Sequence, residues 1–150
     1  MFQYMIMPFN RYADFSGRSR RMEYWGFTLL NAIIISVFVI AAMGFNTSIL
    51  SSSLEGARPD ISGGVSIFLI LGFIYILAVL IPSIAVTVRR LHDRDMSGWW
   101  YLGFIVLGAL PVIGLIASLA MLVIMFLPGT AGPNRYGEDP KDPTGSSIFA

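Results

Sequence analysis

Three long apolar runs, separated by short charged clusters, organise this chain. The first covers residues 25–45, WGFTLLNAIIISVFVIAAMGF, with Asn31 and Ser36 as its main polar interruptions. It has about the 20 apolar residues that a bilayer-crossing helix needs. A signal peptide is not expected here, on two grounds: the run exceeds the roughly 7–15 residues of a signal core, and a long segment precedes it. The second run covers residues 65–88, and Pro82 near its end removes a helical donor and bends the helix. Ser83 and Thr87 are placed to satisfy the carbonyls freed there.

The third run, residues 99–127, holds roughly 28 charge-free residues, about 42 Å as one helix. The hydrocarbon core is only about 30 Å thick. In its middle stands Gly108-Ala-Leu-Pro111-Val-Ile-Gly114, a natural breaking point. The run is either one long kinked helix or two shorter helices that turn back at Pro111. The pattern therefore predicts an all-α integral membrane protein with three to four transmembrane helices, at about 25–45, 65–88 and 99–127. Residues 1–140 form a single membrane domain in this reading. Residues 1–24 are a cytoplasmic or interfacial segment, 46–64 an external loop, 89–98 a cytoplasmic RRLHD loop, and 141–150 a flexible tail.

Composition strengthens the membrane assignment. Apolar residues make up 55% of the 150 positions and charged residues 13%, with a mean hydropathy of +0.71. Soluble domains carry about 25% charged residues, so this chain lacks the charge to cover a water-facing surface. Net charge is +1, which offers no field to gather nucleic acid. Nine of ten cationic residues are arginine and only Lys141 is lysine; arginine's planar fork suits phosphate and carboxylate.

Orientation follows from cations near the span ends. Arg11, Arg18, Arg20 and Arg21 precede the first span, Arg58 alone lies in the first loop, and Arg89, Arg90 and Arg94 follow the second. The N-terminus and the RRLHD segment are thus placed in the cytoplasm. Arg135 and Lys141 favour a cytoplasmic tail and, with it, the folded-back reading of residues 99–127.

Four motifs remain. In MFQYMIMPF, Phe2, Met5, Ile6 and Phe9 share one helical face, a short hydrophobic lead-in on the bilayer that Pro8 limits. In FSGRSRRMEYWGF, Ser16-Gly17 signals a helix start, and Arg18, Arg21 and Trp25 fall on one face. Glu23 is badly spaced for either arginine, so it seeks an arginine from another segment. RRLHDRDMSGWW contains His92, the chain's single histidine, beside Asp93. Neighbouring side chains on a helix point about 100° apart, so Asp93 does not orient His92. PGTAGPNRYGEDP is a series of turns expected to be ordered and packed over residues 128–140.

Absences narrow the function. With no cysteine and one histidine, thiolate chemistry, disulfides and multi-histidine metal sites are excluded. No nucleotide or cofactor motif is present, and none is expected. No Asp, Glu, Lys, Arg or His lies within the three runs, which disfavours ion- or proton-coupled carriers.

FSGRSRRMEYW, IPSIAVTVRRLHDRDMSGWWYL and PGTAGPNRYGEDP together resemble the bacterial inner-membrane proteins of domain of unknown function 805, the YhaH/YhaI-like family. The resemblance covers roughly residues 9–140. It implies a small multi-helix protein of the bacterial cytoplasmic membrane and supplies no activity.

The three polar motifs are expected to meet on the cytoplasmic face, where Arg18, Arg21, Arg89, Arg90 and Arg135 surround Glu23, His92, Asp93, Asn134 and Tyr136. Glu23 and Arg135 are the expected partners of the His92–Asp93 pair. Such a cluster is structural, or binds anionic lipid headgroups or a partner. The alternatives are a membrane enzyme acting on a phospholipid or polyprenyl phosphate with His92 as acid or base, and an accessory subunit of a membrane complex. Partners in these readings are membrane lipids, another membrane protein or a second copy, and no nucleic acid.

Overall fold

Apolar stretches with few breakers become helices here because a backbone in lipid must satisfy its own hydrogen bonds. The computed structural model describes residues 2–44 and 63–141 and holds five helices among them: α1 (Phe2–Asn10), α2 (Arg21–Gly44), α3 (Gly63–His92), α4 (Trp99–Gly108) and α5 (Pro111–Phe126). No strand occurs among the described residues, only one isolated bridge between Asn134 and Gly137. Most of the expected external loop 46–64 and the expected tail beyond Lys141 lie outside the described residues.

Helices α2 and α3 contain stretches long and apolar enough to cross a membrane, Arg21–Ala42 and Ile67–His92, with mean hydropathies of 2.2 and 2.8. Their large apolar side chains stand exposed: Ile33, Val37, Ile40, Leu69, Ile70 and Phe73 are each more than half accessible. A continuous apolar surface of that extent needs a non-aqueous neighbour, and lipid is the one that helices of this length fit.

The chain divides into two compact units rather than one: residues 1–28 with 81–150, and residues 29–80. In the second unit, the Tyr75 hydroxyl donates to Asn31 Oδ1 at 2.7 Å. The ring of Phe38 lies 6.0 Å from that of Tyr75. Asn31, a polar residue within an apolar helix, is thereby buried with a partner.

The first unit carries the polar chemistry. Helix α1 includes Pro8 within its nine residues and rests on α2, with the Phe9 and Phe27 rings edge to face at 5.2 Å. Ser16-Gly17 does not start a helix. Gly17 takes φ +77°, a turn that a side chain would strain, and α2 begins later, at Arg21. Pro82 is buried within α3. Thr87 donates its hydroxyl to the Ser83 carbonyl at 2.7 Å, which is its own preceding turn rather than the carbonyl four residues before Pro82.

Residues 99–127 are two helices, not one. Gly108 ends α4, Leu110 is extended, and Pro111 opens α5 at a position where its missing N–H costs nothing. The helices then pack against each other, with Gly114 against the Gly108 carbonyl. At about 1.5 Å per residue, α4 is roughly 15 Å long and α5 roughly 24 Å, both short of the hydrocarbon thickness. Trp25 stacks on Phe126 with centroids 4.2 Å apart, so the hairpin's far end returns to the first turns of α2.

Candidate functional site

The RRLHD segment is helical, not a loop: α3 continues to His92, and only residues 93–98 are non-helical before α4. That extra turn sets the geometry. Arg90 and Asp93 are three apart and fall on one face, while Arg89 is turned about 100° away, toward the first turn of α2.

Arg89 Nη2 meets Glu23 Oε1 at 2.9 Å, and both side chains are at least 96% buried. The other terminal nitrogen of Arg89 donates to the carbonyls of Asp14 and Arg11, and the Arg89 carbonyl accepts from the Ser19 amide at 3.1 Å. Arg11 braces that loop by donating to Asp14 Oδ2 at 2.9 and 2.7 Å. Arg11, together with the Ser16 amide, holds the Asp14 carboxyl below its ordinary range.

Asp93 is clasped from two sides. Arg18 donates Nε to Asp93 Oδ1 at 3.0 Å, and Arg90 pairs with Oδ2. Arg18 spends its remaining donors on the Gly132 and Thr130 carbonyls, at 2.6 and 2.5 Å. Arg90 donates onward to the carbonyls of Met125 and Leu127. Those carbonyls end α5, where the helix dipole is negative. The Asp93 carbonyl in turn accepts the Thr130 amide at 2.8 Å. A Cβ on Gly129 would overlap the Asp93 carboxylate, so only glycine lets the loop come this close.

Arg18, Arg89, Arg90, Glu23 and Asp93 are all buried: three cations against two anions. The surplus positive charge is met by backbone carbonyls, since a buried ion without compensating hydrogen bonds is strongly disfavoured. This is an internal clasp joining the segment before α2, the end of α3 and the loop after α5.

The remaining site residues fall outside that ionic core. The His92 ring stacks on Tyr136, centroids 3.9 Å apart and planes 3° from parallel. Its Nδ1 lies 3.2 Å from the Gly17 carbonyl. Asn134 Nδ2 donates to the His92 carbonyl at 2.9 Å. Arg135 pairs with Asp95 at 3.1 Å in an exposed bridge and lies over the Tyr136 ring. Arg21 is exposed and donates to the Phe126 carbonyl at 3.2 Å. The expected partnership of Glu23 and Arg135 with His92 and Asp93 is therefore corrected. Arg89 takes Glu23, Arg18 and Arg90 take Asp93, and Arg135 takes Asp95, because Asp95 at φ 57° lies within its reach and Asp93 is already enclosed.

Several contributors carried no signal that would single them out. Ser19 and the carbonyls of Arg11, Asp14, Met125 and Leu127 act through the backbone, which sequence does not distinguish. Gly129 and Thr130 stood in the PGT motif as turn residues, and their tight spacing was the available clue.

Two helices of membrane-crossing length, ending in a buried ionic clasp, define a small all-α integral membrane protein. The family described as "Protein of unknown function (DUF805)" matches residues 12–138, and this chain belongs to it. It is similar to the inner membrane protein YhaI of Escherichia coli (strain K12), 39% identical over 139 residues that span 93% of this chain and 96% of that one. It is also similar to the inner membrane protein YhaH of the same organism, 42% identical over 130 residues, 87% of this chain and 89% of that one. No solved structure matches the chain. The chain is an inner-membrane protein of this family.

Proposed function

We propose that this protein is a non-catalytic membrane-surface scaffold, oriented with its N-terminus in the cytoplasm. Its buried clasp anchors α4 and α5 as a re-entrant hairpin, and its outer arginines bind anionic lipid headgroups. One observation carries the reading: the buried arginines are paired with carboxylates, and another set is not. Arg18, Arg89 and Arg90 each pair with Asp93 or Glu23 and donate further to backbone carbonyls. Arg20, Arg21 and Arg94 meet no carboxylate among the described residues. They donate only to the Tyr4 hydroxyl and to the carbonyls of Phe126 and Pro128. Cations beside a membrane boundary attract anionic headgroups, at about 1 kcal/mol each.

The enzyme reading is the weaker of the two. A histidine base is normally oriented by a carboxylate, and Asp93 is committed to two arginines instead.

The test is lipid retention by the protein in nanodiscs of mixed anionic and zwitterionic lipid. The wild type is expected to enrich the anionic lipid, and the triple variant Arg20→Gln/Arg21→Gln/Arg94→Gln to lose that enrichment while keeping its helicity. Equal retention of both lipids by the wild type overturns the proposal.

A further inference from the structure

Between the last turns of α3 and the first turns of α4 lies a cavity of about 570 Å³. Ile84 and Val88 from α3 and Leu102 and Ile105 from α4 line its length, and His92 and Ser97 stand at its polar end. Ile84, Val88 and His92 are spaced four apart, so they form one row along the helix, apolar until the histidine.

The imidazole is held in a single pose. Tyr136 stacks on its face, and Asn134 fixes the backbone beneath it. The Gly17 carbonyl beside Nδ1 can only accept a hydrogen bond, so in the neutral ring the proton resides on Nδ1. Nε2 is then a bare acceptor. It lies on the Gly98 side, where an added Cβ would be 3.4 Å from it, and Gly98 also lines the cavity. No donor among the described residues reaches it.

We propose that this cavity binds one acyl chain of an anionic lipid whose headgroup carries a free hydroxyl, with that hydroxyl donating to His92 Nε2. The apolar row accepts a hydrocarbon chain and little else. The acceptor nitrogen requires a donor, which excludes a bare phosphate oxygen at that point. Arg135, over the Tyr136 ring that stacks on His92 and paired with Asp95 on its other side, disfavours an ammonium headgroup there and leaves a hydroxyl as the matching donor. Ser97, whose hydroxyl oxygen accepts from the Trp99 amide at 3.4 Å, retains its own proton for a headgroup oxygen. The anionic part of the assignment rests on the function proposed above; the hydroxyl part rests on His92 alone.

Trp99 also lines the cavity and serves as the reporter, in the full chain carrying Trp25→Phe and Trp100→Phe. The protein is placed in vesicles of phosphatidylcholine doped with a lipid bearing brominated acyl chains, which quench tryptophan on contact. Brominated phosphatidylglycerol carries charge and hydroxyls, brominated phosphatidylmethanol the charge without hydroxyls, and brominated phosphatidylcholine neither. Phosphatidylglycerol is expected to quench Trp99 at about two- to tenfold lower mole fraction than phosphatidylmethanol, the range one net hydrogen bond supplies. His92→Phe keeps the ring stack and removes the acceptor, and is expected to make the two anionic lipids equal. Ile105→Phe fills the chain end of the cavity and is expected to abolish the same preference without touching His92. Equal quenching by the two anionic lipids in the unsubstituted cavity, or a preference that survives both variants, overturns the pocket. Equal quenching by phosphatidylmethanol and phosphatidylcholine instead counts against the anionic-surface reading and leaves the hydroxyl comparison standing.

Discussion

Arg89 and Glu23 form an ion pair at 2.9 Å across 66 positions of sequence. It joins the last turn of α3 to the first turn of α2, away from solvent. Removing one partner of such a pair leaves the other buried and uncompensated, which costs about 3–5 kcal/mol. Glu23→Gln is therefore expected to lower the unfolding midpoint markedly, and the double variant Glu23→Gln/Arg89→Met to recover part of the loss. Thermal unfolding in nanodiscs checks this; a double variant no better than the single one would count against the pair as the source.

Gly129 faces the Asp93 carboxylate with no room for a methyl group. Gly129→Ala should push the loop off α3 and break the bond from the Thr130 amide to the Asp93 carbonyl. Faster amide exchange at Thr130, with exchange in residues 29–42 unchanged, is the expected signature. Unaltered exchange at Thr130 would mean that the loop is held elsewhere.

The folded-back hairpin makes a distance prediction. One straight helix would separate residues 100 and 126 by about 39 Å at 1.5 Å per residue. Two helices packed side by side bring these positions much closer. Spin labels at both positions in lipid should report the shorter separation, and Arg90→Gln, which loses its bonds to the Met125 and Leu127 carbonyls, should broaden the distribution. A sharp distance near the straight-helix value would refute the hairpin.

Asp14 supplies a pH prediction. Its carboxyl is held below its ordinary value of 3.8 by Arg11 first and then by the Ser16 amide. A depressed carboxylate contributes stability that is present above the unfolded value and is lost as pH falls through the folded one. The stability advantage of the wild type over Asp14→Asn should thus hold at neutral pH and vanish in strong acid. The group is exposed, so the difference will be small. An advantage that grows on acidification would reverse the assigned sign.

Local pattern was informative wherever a residue's environment is the bilayer itself. Uninterrupted apolar runs have one stable outcome in lipid, a helix, so the two long helices and the membrane class were readable from hydropathy alone. Glu23's poor spacing from its neighbours likewise pointed to an arginine elsewhere. The break near Gly108 and Pro111 was visible, and the downstream Arg135 and Lys141 favoured folding back, but no signal within residues 99–127 chose between a kinked and a folded-back segment. That choice depends on Arg90, thirty-five residues before Met125, reaching the carbonyls that end α5.

The sequence by itself determined the class of protein, its two long apolar helices and the three motifs that hold its charge. Tertiary structure decided which cation takes which anion. Arg18, Arg89, Arg90, Arg94 and Arg135 are chemically alike, and only the packing of α3 against the segments before α2 and after α5 puts two of them on Asp93 and one on Glu23. It also decided that His92 faces a cavity through a free acceptor, because that depends on the Gly17 carbonyl and the Tyr136 ring, groups 75 and 44 positions away. Burial makes such pairings selective: an ion enclosed with its counter-charge is stable, and the same ion enclosed without one is not.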